Sequence, residues 1–367
     1  MLGTRITRTS TRSRRLLLPL FIIALLFCST LAHAQAVIKV NDNVSFKFGT
    51  LIQAWGDEQQ DAVTRGYAQN LFLRRIRILI AGQLAPNVTF FYESDNPNLG
   101  KAPKALGTGF ITQDAFMEWK LRNEFMLDGG LILIPLCRNC LQSAATLLTI
   151  DYGAYSFLQS APTTSSVGRD TGFQAKGYLL DQHLEYRGGL FQGIRLAGSR
   201  NSLRASGRLQ YDFWDTEVGP FYTGTYLGKK KVLAIGGGFD KQGTYKSYAA
   251  DVFLDRPLPN KDAITAQMDF LRFDGGAFIP SLVRQNDLFA EGGYYFTEHK
   301  IMPFIRYEEQ NFSPNASRSK DQKRYQAGMT WYPSGHNFNI KGAYTKVDTR
   351  VGNSTNEFTV QLQAFYF

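Results

Sequence analysis

Cysteine and histidine are scarce in this sequence, with three and four residues in 367. Long apolar runs are missing too: after residue 34 no stretch reaches the ~20 residues that a spanning helix needs. These absences exclude much. Cys137-x-x-Cys140 lacks the second ligand pair of a zinc site and the βαβ context of a redox motif, so no metal is expected. Nucleophilic catalysis needs a general base held beside the nucleophile. His183, His299 and His336 fall in or beside short turns and read as solvated turn residues. No H-E-x-x-H, P-loop or dinucleotide fingerprint occurs, and Gly236-Gly237-Gly238 lies in a strand pattern, where glycine serves close packing. Neither an enzyme nor a cofactor is expected.

The first residues read as a leader. Arg5, Arg8, Arg12, Arg14 and Arg15 precede an apolar core from Leu16 to Phe27, and Ala32-His33-Ala34 is an A-x-A cleavage site. Residues 1–34 are therefore expected to be a cleaved secretory signal, and 35–367 a single domain. The apolar core is too short for a membrane anchor. Phe27 before Cys28 does not suit a lipoprotein. Removing the leader leaves 36 basic residues against 31 acidic, so the high raw charge is no argument for a nucleic-acid partner. Cys137 and Cys140 then sit in an oxidising compartment. A local disulfide is expected, with two free thiols as the alternative.

What the sequence has in abundance is Phe, Tyr and Gly, at 28, 18 and 34 residues, which favours strands and tight turns. From Val44 onward the apolar period is two, which puts alternate side chains on opposite faces. Leu203, Ala205, Gly207, Leu209, Tyr211 and Phe213, for example, oppose Arg204, Ser206, Arg208, Gln210 and Asp212. Sixteen such segments are expected, starting near 44, 70, 87, 112, 124, 171, 182, 203, 231, 246, 262, 286, 300, 323, 336 and 356. Short and long connections mostly alternate, which is the pattern of a transmembrane barrel with turns on one rim and loops on the other. The connection 215–230 is too long for its rim, which points to a misplaced strand boundary there. A soluble sandwich would also alternate, but its inner faces would be apolar; here one face carries many charges. Trp119, Trp331, Tyr344 and Tyr366 suit interfacial girdles. The terminal Phe367 resembles an outer-membrane assembly signal, although Gln361 and Gln363 share its parity, so a bulge is expected near it.

The longest connection, 136–170, carries Leu147, Leu148, Ile150, Tyr152, Tyr155, Phe157 and Leu158. A loop so long and so apolar needs something to pack on, and it is expected to fold into the lumen.

Several stretches resemble the phosphate-selective porin O and P family. They are Phe72-Leu73-Arg74-Arg75-Ile76-Arg77-Ile78, like its F-x-R-R-x-R strand, and Asp114-Ala115-Phe116, like its D-A-Y/F strand. Gly168-Arg169-Asp170-Thr171-Gly172 is similar to the R-x-x-G that closes its third loop, and Leu190-Phe191-Gln192-Gly193 to its G-x-F-x-G. The resemblance implies an all-β, 16-stranded antiparallel transmembrane barrel, trimeric, with an inward third loop. The family's dense arginine ladder is thinned here to Arg204 and Arg208 on the middle strands, with Asp212 beside them.

By parity the lumen receives Lys47, Arg75, Arg77, Lys120, Lys176, Arg187, Arg204, Arg208, Arg306, Arg324 and Lys341 against Asp114, Glu118, Glu185, Asp212, Asp269 and Glu308. Arg169 is expected near the narrowest point, facing Arg75, Arg77, Arg204 and Arg208. Such a basic excess in a low-dielectric wall concentrates anions. Arg74, on the apolar parity, is expected to snorkel outward. The expected function is a bacterial outer-membrane porin for passive diffusion of small solutes, with a modest preference for anions such as phosphate. An adhesin or receptor barrel is the alternative. Outer-membrane lipid and lipopolysaccharide, small anions, the assembly machinery and two further copies are the expected partners.

Overall fold

The computed structural model describes residues 37–367 apart from 105, 108, 164–166, 196–201, 314 and the side chains of 315 and 316. The leader expected over 1–34 lies outside them. Seventeen strands run β1 Val37–Asn41, β2 Val44–Gln60, β3 Tyr67–Ala85, β4 Val88–Asp95, β5 Ile111–Arg122, β6 Phe125–Leu133, β7 Arg169–Leu179 and β8 Leu184–Phe191. They continue as β9 Arg204–Asp212, β10 Val232–Gln242, β11 Tyr245–Pro257, β12 Ala263–Asp274, β13 Gln285–Tyr295, β14 Ile301–Phe312, β15 Gln322–Ser334, β16 Phe338–Thr349 and β17 Thr355–Tyr366. All sixteen expected strands are present, each starting within three residues of its expected place.

β2 to β17 pair antiparallel with their neighbours, and β17 pairs with β2 from Tyr366↔Thr50 to Glu357↔Gln59, which closes the barrel. Closure satisfies every strand edge within the membrane, as hydrocarbon requires. β1 was not anticipated. It pairs with β2 over Val37↔Lys47 to Asn41↔Val44, on the edge that β17 occupies further along.

The wall obeys the period-two pattern. On β9 Arg204, Ser206, Arg208, Gln210 and Asp212 are buried, while Leu209 and Tyr211 are exposed to the outside. Phe173, Met117, Trp119, Ile305, Trp331 and Tyr344 are likewise exposed on the outer face. Apolar side chains meet lipid and polar ones fill the lumen, the inverse of a soluble sandwich. The chain is a membrane-spanning β-barrel.

Bulges break the parity in β5 and in β3. Gln113 is an extra residue in β5, leaving both it and Asp114 buried. Gln53 pairs with Arg75 but Ala54 pairs with Leu73, so Arg74 is an extra residue in β3. This second bulge re-aims the strand. Phe72, which shares the apolar parity of Ile76 and Ile78 in the sequence, is buried, Leu71 is exposed, and Arg74 reaches the lumen instead of snorkelling outward. At the other end no bulge occurs: β17 runs in register with both neighbours, and Phe367 packs inside against Phe91 at 5.9 Å and under Lys47 at 4.3 Å.

Connections at 86–87, 123–124, 180–183, 258–262, 296–300 and 335–337 lie on the rim that carries both chain ends, the periplasmic side of such a barrel. The connection 213–231 lies on that rim too. It is a real long turn, not a misplaced strand boundary, and it folds into the lumen. The large connection 134–168, here called L3, folds in from the opposite rim.

Candidate functional site: the filled lumen

L3 begins with one turn of helix, α1 (Arg138–Leu141). Cys137 caps it, its sulfur accepting from the Cys140 amide, and the two cysteines form a disulfide with Cα atoms 5.0 Å apart. The bridge is buried together with Leu136 and Leu141. It fixes Arg138, between the cysteines, in the middle of the barrel. Gly238 on β10 admits the chain here, since a Cβ would collide with the Leu136 carbonyl; the glycine run serves close packing, as expected.

From α1 the loop crosses the lumen and is held from nearly all sides. The Arg138 and Asn139 amides donate to Asp251 and Asp269 at 3.1 Å each. Gln142 bonds Gln267, Gln53 and Gln363 donate to the Ala144 and Ala145 carbonyls, and Lys341 donates to those of Leu147 and Thr149. Arg306 donates to Thr149 and the Asp151 carbonyl, and Glu308 accepts from the Ala154 amide. Asp151 receives Arg74 at 2.9 Å and Arg75 at 2.5 Å. Burial pushes its carboxyl pKa up, but the two guanidiniums outweigh that and hold it well below the usual range. Apolar residues of L3 pack in several clusters around the wall, with Leu79, Phe91 and Phe116, with Tyr245, Leu271 and Phe273, and through Leu148 and Ile150 with Tyr295 and Phe304.

The inward periplasmic turn completes the obstruction. Its Glu217 grips Arg138 with two bonds, at 2.6 and 2.8 Å, and Tyr226 donates to the same carboxylate at 2.6 Å. Burial pushes the Glu217 pKa up, but Arg138 outweighs it and keeps the group ionised. Backbone bonds join Ser143 to Tyr222 and Tyr222 to Leu141, and the Tyr222 hydroxyl donates to Glu185. His336 lies 2.9 Å from the Thr225 carbonyl. Burial lowers its pKa to about 4, so it is neutral and donates Nε2–H. His183 similarly contacts the Asp212 carbonyl, while His299 is exposed. Only the last is the solvated turn residue expected for all three. Between loop and turn, a cavity of about 50 Å³ is lined by residues including Arg77, Glu93, Gln142, Tyr152, Arg169 and Phe221.

Of the eleven expected lumen bases, eight meet carboxylates; Lys47, Lys120 and Lys341 are in no ion pair among the described residues. Arg77 pairs with Glu93 and Asp95, Arg169 with Asp114, Lys176 with Glu118 and Asp128, and Arg187 with Glu185. Arg204 pairs with Asp240 and Asp170, Arg208 with Asp251, Arg306 with Glu308, and Arg324 with Glu357. Lys120 lies exposed at the periplasmic end of β5. Arg169 shares its cavity with Arg77, whereas Arg75, Arg204 and Arg208 face other carboxylates. The expected basic excess is corrected: among the described residues ten basic and fifteen acidic side chains are buried. Glu93, Asp95, Asp128, Asp240, Asp251, Asp255, Asp287 and Glu291 were missed because they sit on strands whose parity was not visible. The residues that organise the lumen, Arg138, Asp151, Glu217 and Tyr222, were missed as well.

No protein-family profile matches the sequence, and no curated protein matches it. Solved structures do. Salmonella typhi OmpF in complex with daunomycin superposes with TM-score 0.62 at 15% identity, over 90% of this chain and all of the other. An anion-selective porin from Comamonas acidovorans gives 0.59 at 10% identity over 88% and 100%. The trimer form of OmpT, an outer membrane protein of Vibrio cholerae, gives 0.54 at 10% over 89% and 100%. At such identities the likeness is one of fold, and the fold is that of the bacterial outer-membrane porins.

Proposed function

We propose that this chain forms a porin channel for passive diffusion of small solutes, with L3 and the inward turn 213–231 as two constrictions in series. The observation that carries this is a closed barrel with an apolar outside and a polar, charge-lined inside. The fold it shares with porins supports the reading. The Glu217–Arg138 clamp ties the turn to L3, so solute flow depends on the state of that clamp. The receptor reading has less support, because the longest outer connection, L3, lies inside the lumen. The connections 61–66, 243–244 and 350–354 are short, which leaves 96–110, 192–203 and 275–284 as the longer outer connections.

Selectivity between anions and cations is weak in this proposal. The bases expected to draw anions are matched by carboxylates, and several of them hold L3 instead: Arg75 through Asp151, Arg306 and Lys341 through backbone carbonyls. The resemblance to phosphate-selective porins therefore does not extend to a phosphate preference. Trimeric assembly is proposed from the OmpT trimer. Liposome swelling with sugars and amino acids of graded size tests the channel. Uptake of the smallest solutes with a sharp size limit is expected; liposomes that do not swell with any solute refute it.

A further inference from the structure

The outer face is apolar for most of its height, and this changes at the extracellular end of β10–β12. Lys241 and Lys246 lie directly opposite each other across the β10–β11 ladder, next to its two-residue turn. Arg272 follows on β12, in register with Tyr248. All three are exposed, and the residues beside them, Asp240, Gln242, Ser247, Leu271 and Phe273, are buried toward the lumen, so the cations are on the lipid side. Among the described residues none of the three is in an ion pair. Asp274, opposite Lys246, instead accepts from the Gly276 amide.

Arg272 shares its rung with an aromatic pair, Phe239 opposite Tyr248, and Phe270 lies two residues below it on β12; all three aromatics are exposed. Aromatic side chains on a barrel's outer face mark the boundary between hydrocarbon and headgroups. Lys241 and Lys246 are therefore at headgroup depth in the outer leaflet, with Arg272 at the boundary itself. Two like charges directly opposite on a ladder repel, and among the described residues no acidic side chain pairs with either. An anion bridging them would relieve that repulsion.

We infer that the outer rim of β10–β12 is a binding site for the phosphate groups of a phosphorylated glycolipid, with Lys241, Lys246 and Arg272 as its cationic contacts and the aromatic row against its acyl chains. Phosphate suits this set because one group accepts from several cationic donors at once, and basic clusters at a membrane surface recognise anionic headgroups. The inference rests on the outer-membrane placement of the barrel, not on the state of its lumen.

The test uses purified full-length protein in zwitterionic detergent, with diphosphorylated lipid A as probe and its dephosphorylated form as control, read by native mass spectrometry. The wild type should retain the diphosphorylated form at least tenfold more tightly than the triple variant Lys241→Gln, Lys246→Gln, Arg272→Gln, and bind the dephosphorylated form weakly. Heat-modifiable migration and conductance of that variant should be unchanged, because none of the three residues faces the lumen. A second variant, Lys246→Gln alone, removes the repulsion: without lipid A it should raise the heat-modification midpoint, and saturating lipid A should cancel that advantage. Equal retention of both lipid forms, or equal affinity in wild type and triple variant, overturns the site. So does a change of oligomeric state with lipid binding intact, which would make the patch a protein interface.

Discussion

Replacing Glu217 by Gln probes the clamp between the inward turn and L3. Arg138 is fully buried, and its guanidinium is satisfied chiefly by Glu217, with Gln210 at 3.4 Å and the Thr223 carbonyl at 3.2 Å in support. Its plane also lies 3.5 Å from the Phe253 ring centroid. Removing one partner of a buried pair leaves a desolvated charge and costs about 3–5 kcal/mol. The turn keeps further bonds of about 1 kcal/mol each. Among them are two backbone bonds to L3, the Gly224 amide on Thr146, Arg187 on the Gly219 and Pro220 carbonyls, the Tyr226 amide on Asp255, and the Tyr222 and His336 hydrogen bonds. Glu217 thus sets the tightness of its docking and not whether it folds inward. The ratio of docked to released turn should therefore fall by roughly two to three and a half orders of magnitude, at about 1.4 kcal/mol per decade. The strands lie elsewhere, so the barrel should still form. In planar bilayers the variant should show longer-lived or larger conducting states than the wild type, with heat-modifiable migration retained. A folded Glu217→Gln barrel whose conductance and open lifetime match the wild type would refute the clamp.

Other consequences follow from the same geometry. Asp151→Asn leaves Arg74 and Arg75 without their carboxylate, so the zero-current potential in a salt gradient should move toward anions; no movement means these arginines do not face the solute path. Arg169→Glu sets a carboxylate beside Asp114 and the cavity that Arg77 shares, and should move that potential toward cations more than Arg204→Glu does. Cys137→Ser with Cys140→Ser should lower stability by about 2 kcal/mol on the chain-entropy account of so short a loop; the native protein should resist alkylation, its cysteines being buried. His336 gains a proton near 6.5 when unfolded but only near 4 in the folded chain. Its contribution is complete above about pH 6.5 and is lost as pH falls toward 4. His336→Gln should flatten the wild type's loss of heat stability between pH 7 and 4.5, and equal slopes would remove the assignment.

Much of this fold was legible in the sequence because a membrane barrel imposes one rule on every strand. Leu209, Tyr211 and their partners Arg208, Gln210 and Asp212 announce both faces at once. The rule fails where a single residue is added: at Arg74 the bulge has no local mark, and everything beyond it, including Phe72, changes face. It also fails where inward positions are held by small or apolar residues, as around Asp128 in Phe125–Leu133, where the acid hides in an apolar run. L3 was recognisable by its length and its buried-type side chains. The turn 213–231 carries the same cue in Phe221, Tyr222, Tyr226 and Leu227, but an expectation of short turns on that rim concealed it. Arg138 and Glu217 are far apart in sequence, and nothing local to either signals the other; only the closed barrel brings them together.

The most direct test of a twice-constricted channel is single-channel recording of the wild type beside a variant in which residues 215–229 are replaced by a short Gly-Ser turn. Small discrete conducting steps are expected from the wild type, and distinctly larger ones from the shortened barrel. If both leave the bilayer silent, the barrel is not a channel; if both conduct equally, the inward turn does not restrict it.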